Sequence, residues 1–202
     1  MDGFCGLISA EYSVGNQLVI MAKEPRAGRV KTRLGKDIGM VPAVWWYRHQ
    51  VKSIIKRLQD PRWTLRLAIT PDIAAINSRF WPTHIPRLGQ GRGNLGQRMR
   101  SILRHSPPGP VCIIGSDIPS ISKKHIKQSF KALNESDWVF GPALDGGFWL
   151  VGAKRISALA PALFKGVRWS TQSTLNDSLS SVPSQRITFI DRLSDIDTGS
   201  DL

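Results

Sequence analysis

The residues most able to do chemistry lie between positions 18 and 34. There the apolar run Leu18-Val19-Ile20-Met21-Ala22 breaks into a loop carrying Lys23, Arg26, Arg29, Lys31 and Arg33, with Pro25 and Gly28 as punctuation. An apolar run, a Pro/Gly loop and a helix-compatible run read as strand, loop, helix. In an open α/β sheet, ligands sit at loops leaving the carboxyl ends of strands. Five cations in one such loop suit a ligand with several negative charges, and a nucleotide pyrophosphate is the natural candidate.

Carboxylates follow at three further places. Gly115-Ser116-Asp117-Ile118-Pro119 places one acid at the end of the apolar run 111–114. A hard cation such as Mg²⁺ or Mn²⁺ takes one or two carboxylates plus phosphate oxygens and water, so Asp117 is the first candidate ligand. The alternative is that Asp117 only caps its turn. In Gly141-Pro142-Ala143-Leu144-Asp145-Gly146-Gly147-Phe148-Trp149, the Asp-Gly-Gly could be a plain hairpin. It could also bring backbone close to a ligand, with Asp145 on the acceptor or metal and Phe148 or Trp149 as a wall. Asp195 and Asp197 share a side if their segment is extended, and could join Asp117 around a cation or form a solvated acidic tail. The Gly-rich stretch 89–98, with Arg92 and Arg98, could present backbone N–H groups to an anion, or be a loop capped by Asn94.

The elements that must position these residues alternate in type. Strands are expected at 17–22, 63–70, 111–115, 138–142, 148–152 and 186–191. Helices are expected at 42–59, 73–80, 95–105, 123–134, 156–164 and 171–180, with Ser122 as an N-cap. The alternation predicts an α/β fold, a three-layer sandwich with a mostly parallel sheet, to which 138–152 could add an antiparallel element. Residues 1–16 read as an N-terminal extension and 17–202 as a single domain. The chain of 202 residues is 41% apolar, enough for a full core. Its two cysteines make no disulfide framework, and Cys112 reads as a buried small hydrophobe. No signal peptide or membrane-length segment is visible, so a cytoplasmic protein without a membrane partner is expected. The net charge of +13 is lopsided: residues 1–105 hold 18 lysines and arginines against six acids, and residues 106–202 hold ten against nine. No zinc spacing, Walker A sequence or Gly-x-Ser-x-Gly elbow occurs. The letters Gly91-x-Gly93-x-x-Gly96 follow no strand and are not a dinucleotide fingerprint.

Six segments in order, 21–34, 94–99, 115–119, 141–152, 169–171 and 195–198, resemble a bacterial family of GT-A-type transferases long known as a domain of unknown function. Its members carry a glycosyltransferase label, some associated with radical-SAM/selenodomain clusters, and its relatives include molybdenum-cofactor and phospholactate guanylyltransferases. The resemblance implies a nucleotide-diphospho-sugar transferase fold and a divalent metal. By position it makes Lys23, Lys31 and Arg33 phosphate contacts, Asp117 a metal carboxylate, Asp145-Gly146-Gly147 the acceptor-side loop, and Asp195 and Asp197 a closing acidic segment. The chain departs from the family pattern at Asn94 and Gln97, where acids are usual, and at Gly199-Ser200, where Pro-Glu is usual.

Residues and resemblance together make a definite site. Asp117 and Lys31 are the catalytic candidates. Ala22, Lys23, Gly28, Lys31, Thr32, Arg33 and Ser116 are the nucleotide contacts. Asp145, Gly146, Gly147 and Phe148 are the substrate contacts, and Asp117, Asp195 and Asp197 hold Mg²⁺ or Mn²⁺. The expected activity is metal-dependent transfer from a nucleotide or nucleotide-sugar donor to a small-molecule acceptor, preferably glycosyl transfer, with nucleotidyl transfer as the alternative. A basic nucleic-acid binder is the rival from another class, though no helix-turn-helix, RRM or KH signature is present. A nucleotide binder without turnover is the third reading.

Overall fold

The computed structural model describes residues 15–155, 158–182 and 186–201. The proposed extension 1–16 therefore lies almost wholly outside the described residues, and so does Cys5.

The chain begins with strand β1 (Gln17–Lys23) and, after the basic loop, helices α1 (Thr32–Ile38) and α2 (Met40–Leu58). Next come β2 (Thr64–Thr70), α3 (Asp72–Asn77), β3 (Arg87–Gly89) and α4 (Leu95–His105). Then follow β4 (Val111–Gly115), α5 (Lys123–Glu135), β5 (Trp138–Pro142) and β6 (Phe148–Ala153). Last are α6 (Thr174–Ser180), β7 (Ile187–Phe189) and a 3₁₀ turn at Gly199–Asp201. The sheet has seven strands in the order β3-β2-β1-β4-β6-β5-β7. Strands β1 to β4 are mutually parallel, and β6 alone runs against its neighbours β4 and β5.

Strand periodicity divides the core. Leu18, Ile20, Cys112 and Ile114 face the layer of α2, α3 and α5, with Tyr47, Ile54, Phe130 and Leu133. Val19, Val111 and Ile113 face the layer of α4 and α6, with Met99, Ile102, Leu103 and Val182. Two buried faces explain why β1 and β4 are continuously apolar rather than alternating. Cys112 is fully buried, and that burial pushes its thiol pKa upward.

The expected helix at 156–164 does not form. Residues 156 and 157 lie outside the described residues, 158–160 are irregular and 161–166 are turns. Pro161 interrupts hydrogen bonding there, and Arg155 and Phe164 have positive φ angles of 57° and 60°, outside the helical region. The helices expected at 73–80 and 171–180 are shorter, covering Asp72–Asn77 and Thr174–Ser180, and the last strand shrinks to Ile187–Phe189. The short edge strand β3 carries too few residues to show a period, and only its pairing with β2 defines it, so a strand does precede Gly91–Gly96 where the sequence predicts none.

Candidate functional site

The parallel strands β1, β2 and β4 deliver their ends to one edge of the sheet, and a cavity of about 630 Å³ opens there. One side of it is built by the β1–α1 loop. Gly28 supplies the turn with a φ of 71°, and a Cβ added to it would meet nothing within 4 Å, so its role is backbone conformation. Lys31 then enters α1 in the left-handed region, at φ 47° and ψ 46°, an unfavourable place for a side chain.

That conformation is held by the Lys31 ammonium. Its side chain is only 4% exposed, and its Nζ lies 2.5 Å from the Ile196 carbonyl, 3.0 Å from Asp197 Oδ1 and 3.2 Å from Asp117 Oδ2. Two of its protons are donated, to Ile196 O and Asp197 Oδ1, and Asp117 stands beside it at ion-pair distance. Arg33 adds a second, exposed contact to Asp197 Oδ2 at 3.2 Å. In contrast Lys23, Arg26 and Arg29 are exposed and have no carboxylate within ion-pair distance among the described residues.

The C-terminal segment brings the acids across. It leaves β7 and passes the end of β5 over the sheet edge: Leu193 N–H donates to Pro142 O at 3.1 Å, and Ile196 N–H to Asp117 O at 3.2 Å. Gly199 N–H ends the crossing on Asp37 Oδ2 of α1 at 2.8 Å, a bond that a proline at this position could not make. Asp117, Asp145, Asp195 and Asp197 all line the cavity. Burial first, and then the negative charges of Asp197 and Asp145, hold the half-buried Asp195 carboxyl above its ordinary range.

Tyr47 of α2 stands behind Asp117. Its hydroxyl accepts from Lys23 N–H at 2.9 Å and lies 3.2 Å from both Lys23 O and Ser116 Oγ. Ser116 Oγ in turn donates to Asp117 Oδ1 at 3.3 Å. Burial, followed by the Asp117 charge, pushes the phenol far above its usual range, so it remains a neutral positioning group. Gln90 similarly ties the ends of β1 and β2, donating to Ala22 O at 3.0 Å and Ala68 O at 2.9 Å.

The far wall is the β5–β6 turn and the loop before α6. Asp145 Oδ1 accepts Gly147 N–H at 2.9 Å, so Asp145 shapes the hairpin and lines the cavity at once. Phe148 and Trp169 meet edge to face at 6.3 Å. The Trp169 indole N–H has no acceptor among the described residues.

Of the sequence candidates, Ala22, Lys23, Lys31, Arg33, Ser116, Asp117, Asp145, Gly147, Phe148, Asp195 and Asp197 meet around this one cavity. Gly28, Thr32 and Gly146 stand behind it. A Cβ on Gly146 would lie 2.4 Å from the Gln172 backbone, so this glycine admits a neighbouring loop rather than a ligand. Asn94 and Gln97 are taken up by a capping box on α4, at 3.0 and 2.9 Å. Tyr47 is a cavity residue outside every sequence motif, while Gln90, Arg98 and Trp169 lie within motifs but were not among the site candidates. Tyr47 and Gln90 looked like ordinary core and loop positions, and only burial of their polar ends distinguishes them.

The carboxylates can be tested for a divalent cation. Among the described residues no three His, Cys, Asp or Glu side chains gather closely enough to hold an ion. Asp117 and Asp197 do already share one cation, the Lys31 ammonium. Two hard oxygen donors lining one cavity are a donor set that Mg²⁺ or Mn²⁺ could share with substrate oxygens.

The fold is that of the nucleotide-diphospho-sugar transferases. A solved protein from Desulfovibrio desulfuricans G20, provisionally named as such a transferase, is 27% identical and superposes with a TM-score of 0.83, over 91% of this chain and 82% of that one. The chain belongs to the family described as uncharacterized protein conserved in bacteria (DUF2064), whose model matches residues 54–171. The same fold recurs at 12% identity in 4-diphosphocytidyl-2C-methyl-D-erythritol synthase from Anaerococcus prevotii DSM 20548, with a TM-score of 0.60 over 93% of this chain and 94% of that one. It recurs again at 12% identity in the manganese complex of Rv0371c from Mycobacterium tuberculosis H37Rv, with a TM-score of 0.50 over 93% and 95%. No curated protein sequence matches the chain. No helix among the described residues is long and apolar enough to cross a membrane.

Proposed function

We propose that this protein is a transferase that moves a sugar from a nucleotide-diphosphate donor to a small-molecule acceptor, assisted by Mg²⁺ or Mn²⁺. The observation that carries this reading is the meeting of two distant segments in one cavity. The basic β1–α1 loop and the acids Asp117 and Asp197 come together through Lys31. Support also comes from the 27% identical relative that bears a nucleotide-diphospho-sugar transferase name.

In this reading the cavity cations Lys23, Arg33 and Arg98 gather the diphosphate, whose charge they match. Asp117 and Asp197 would hold the metal, which when bound supplies charge neutralisation at the diphosphate. Tyr47 and Ser116 keep Asp117 oriented, and Lys31 keeps the C-terminal segment over the site. The protein's contribution is mainly positioning and preorganised charge.

The test is a thermal-shift panel of nucleoside triphosphates and nucleotide sugars, each with Mg²⁺, Mn²⁺ or EDTA. A ligand that binds only the native state raises the melting temperature by mass action. A nucleotide-sugar shift that EDTA abolishes is expected, with Asp117→Asn removing turnover and most of the metal dependence. A fully active, metal-independent Asp117→Asn enzyme would overturn the reading. A shift confined to nucleoside triphosphates would move it to nucleotidyl transfer.

A further inference from the structure

The two halves of the cavity carry opposite charge. Its basic side chains, Lys23, Lys31, Arg33 and Arg98, all come from the β1–α1 segment or α4. The half built from the β5–β6 turn onward has no Lys, Arg or His among its described residues, and contributes Asp145, Asp195 and Asp197. Asp197 is matched by Lys31 and Arg33. Asp145 and Asp195 have no ion-pair partner among the described residues. Asp145 Oδ1 is engaged by the Gly147 N–H, while its Oδ2 takes no hydrogen bond from the described chain.

This half is also aromatic. Trp169 stands edge to face against Phe148 at 6.3 Å and against Phe164 at 6.1 Å. Helix α4 packs so closely that a Cβ on Gly96 would fall 2.6 Å from the Trp169 ring. Leu95 and Met99 of the same helix line the cavity with them. The wall is thus an apolar shelf with one free carboxylate oxygen at its side.

A phosphomonoester carries nearly two negative charges at neutral pH. On this wall it would face Asp145 and Asp195, whose charges no ion pair among the described residues offsets, and like charges placed together are a main source of discrimination between partners. A hydroxyl compound without negative charge meets no such repulsion. Its apolar face can lie on Phe148 and Trp169, and its O–H can donate to Asp145 Oδ2. We propose that the acceptor of this site is a neutral or cationic hydroxyl compound with an apolar or aromatic face, and that phosphorylated acceptors are turned away. This rests on the donor reading above, because the basic half is then taken by the nucleotide. In the transfer, the acceptor oxygen forms its bond to the anomeric carbon as the bond from that carbon to the diphosphate oxygen breaks. The nucleoside diphosphate leaves with the electron pair, and the hydroxyl proton passes to Asp145.

The experiment titrates two chromophoric probes, 4-nitrophenyl β-glucoside and 4-nitrophenyl phosphate, against tryptophan fluorescence at about pH 8, where the phosphate is a dianion. The basic half is first saturated with the nucleotide that raises the melting temperature in the donor panel. The glucoside is expected to bind at least about tenfold more tightly than the phosphate, and Asp145→Lys to erase or invert that ratio. A phosphate probe that binds the native protein as tightly as the glucoside overturns the inference, and so does a folded Asp145→Lys protein with an unchanged ratio. If Asp145→Lys does not fold, Asp145→Asn must narrow the ratio, and failure to do so counts equally against it. The donor panel is scored separately. Absence of any nucleotide shift removes the donor reading, whereas a nucleotide shift with a phosphate-favouring wall removes only the acceptor assignment.

Discussion

At the scale of single residues, Lys31 concentrates the physics of the site. A buried ammonium is tolerable only when its charge is compensated, and here two hydrogen bonds and two ion-paired carboxylates on other segments do so. Lys31→Met removes the cation but leaves Asp117 and Asp197 in place, each about two-fifths exposed. Breaking a fully buried pair costs about 3–5 kcal/mol, and solvent at both carboxylates reduces this to about 1–3 kcal/mol. Urea denaturation of Lys31→Met should show that loss, and added nucleotide should recover less stability than in the native protein. Asp177 offers a pH test. Arg168, through side-chain and backbone hydrogen bonds, holds its carboxyl down at about 2. A depressed carboxylate stabilises the fold above its unfolded pKa and loses that contribution as pH falls through the folded value. Asp177→Asn should therefore lower the melting temperature near neutral pH, with the difference from the native protein vanishing as pH approaches about 2.

At the scale of elements, the loop before α6 presses on the β5–β6 turn. Leu175 N–H donates to Gly146 O at 2.9 Å, and Gly146 has a φ of 86°. Gly146→Ala would set a Cβ 2.4 Å from the Gln172 backbone in a conformation that L residues rarely adopt. The expected cost is about 1–3 kcal/mol. Acceptor affinity should fall as the Asp145 turn shifts, while nucleotide binding, on the opposite half, should be nearly unchanged. Calorimetric melting and separate donor and acceptor titrations check this. The elements themselves were legible in proportion to their length. Helix α4 and strands β4 and β5 match their expected limits because an N-cap, an apolar run or a following turn marks each end. The helix expected at 156–164 failed because its spaced apolar residues, Leu163 and Phe164 among them, are buried by turns rather than by a helical face.

At the scale of the whole molecule, the proposed function makes the excess of positive charge a steering device for an anionic donor. Such attraction is screened beyond about 8 Å at physiological salt. Nucleotide affinity should therefore fall steeply as salt is raised from about 0.05 to 0.5 M, whereas binding of the uncharged glucoside probe should barely change. Equal salt sensitivity of both would return the basic surface to a general polyanion binder, the rival that the charge of +13 first suggested. Much of this protein was determined by its sequence alone. Continuous apolar runs required a parallel sheet buried on both faces, and the run of five cations stood out as a candidate anion site at a strand end. Asp117, Asp145, Asp195 and Asp197 were visible as candidate acids, but nothing local said that they share a cavity. That was decided by the tertiary structure. Asp197 lies 166 residues from Lys31, and only the crossing of the C-terminal segment over the sheet edge brings them within 3.0 Å. The separation of a basic half from an acidic, aromatic half was likewise beyond the sequence. A side chain's charge is written in the chain, but the partner that neutralises it, or leaves it unmatched, depends on which strands lie side by side.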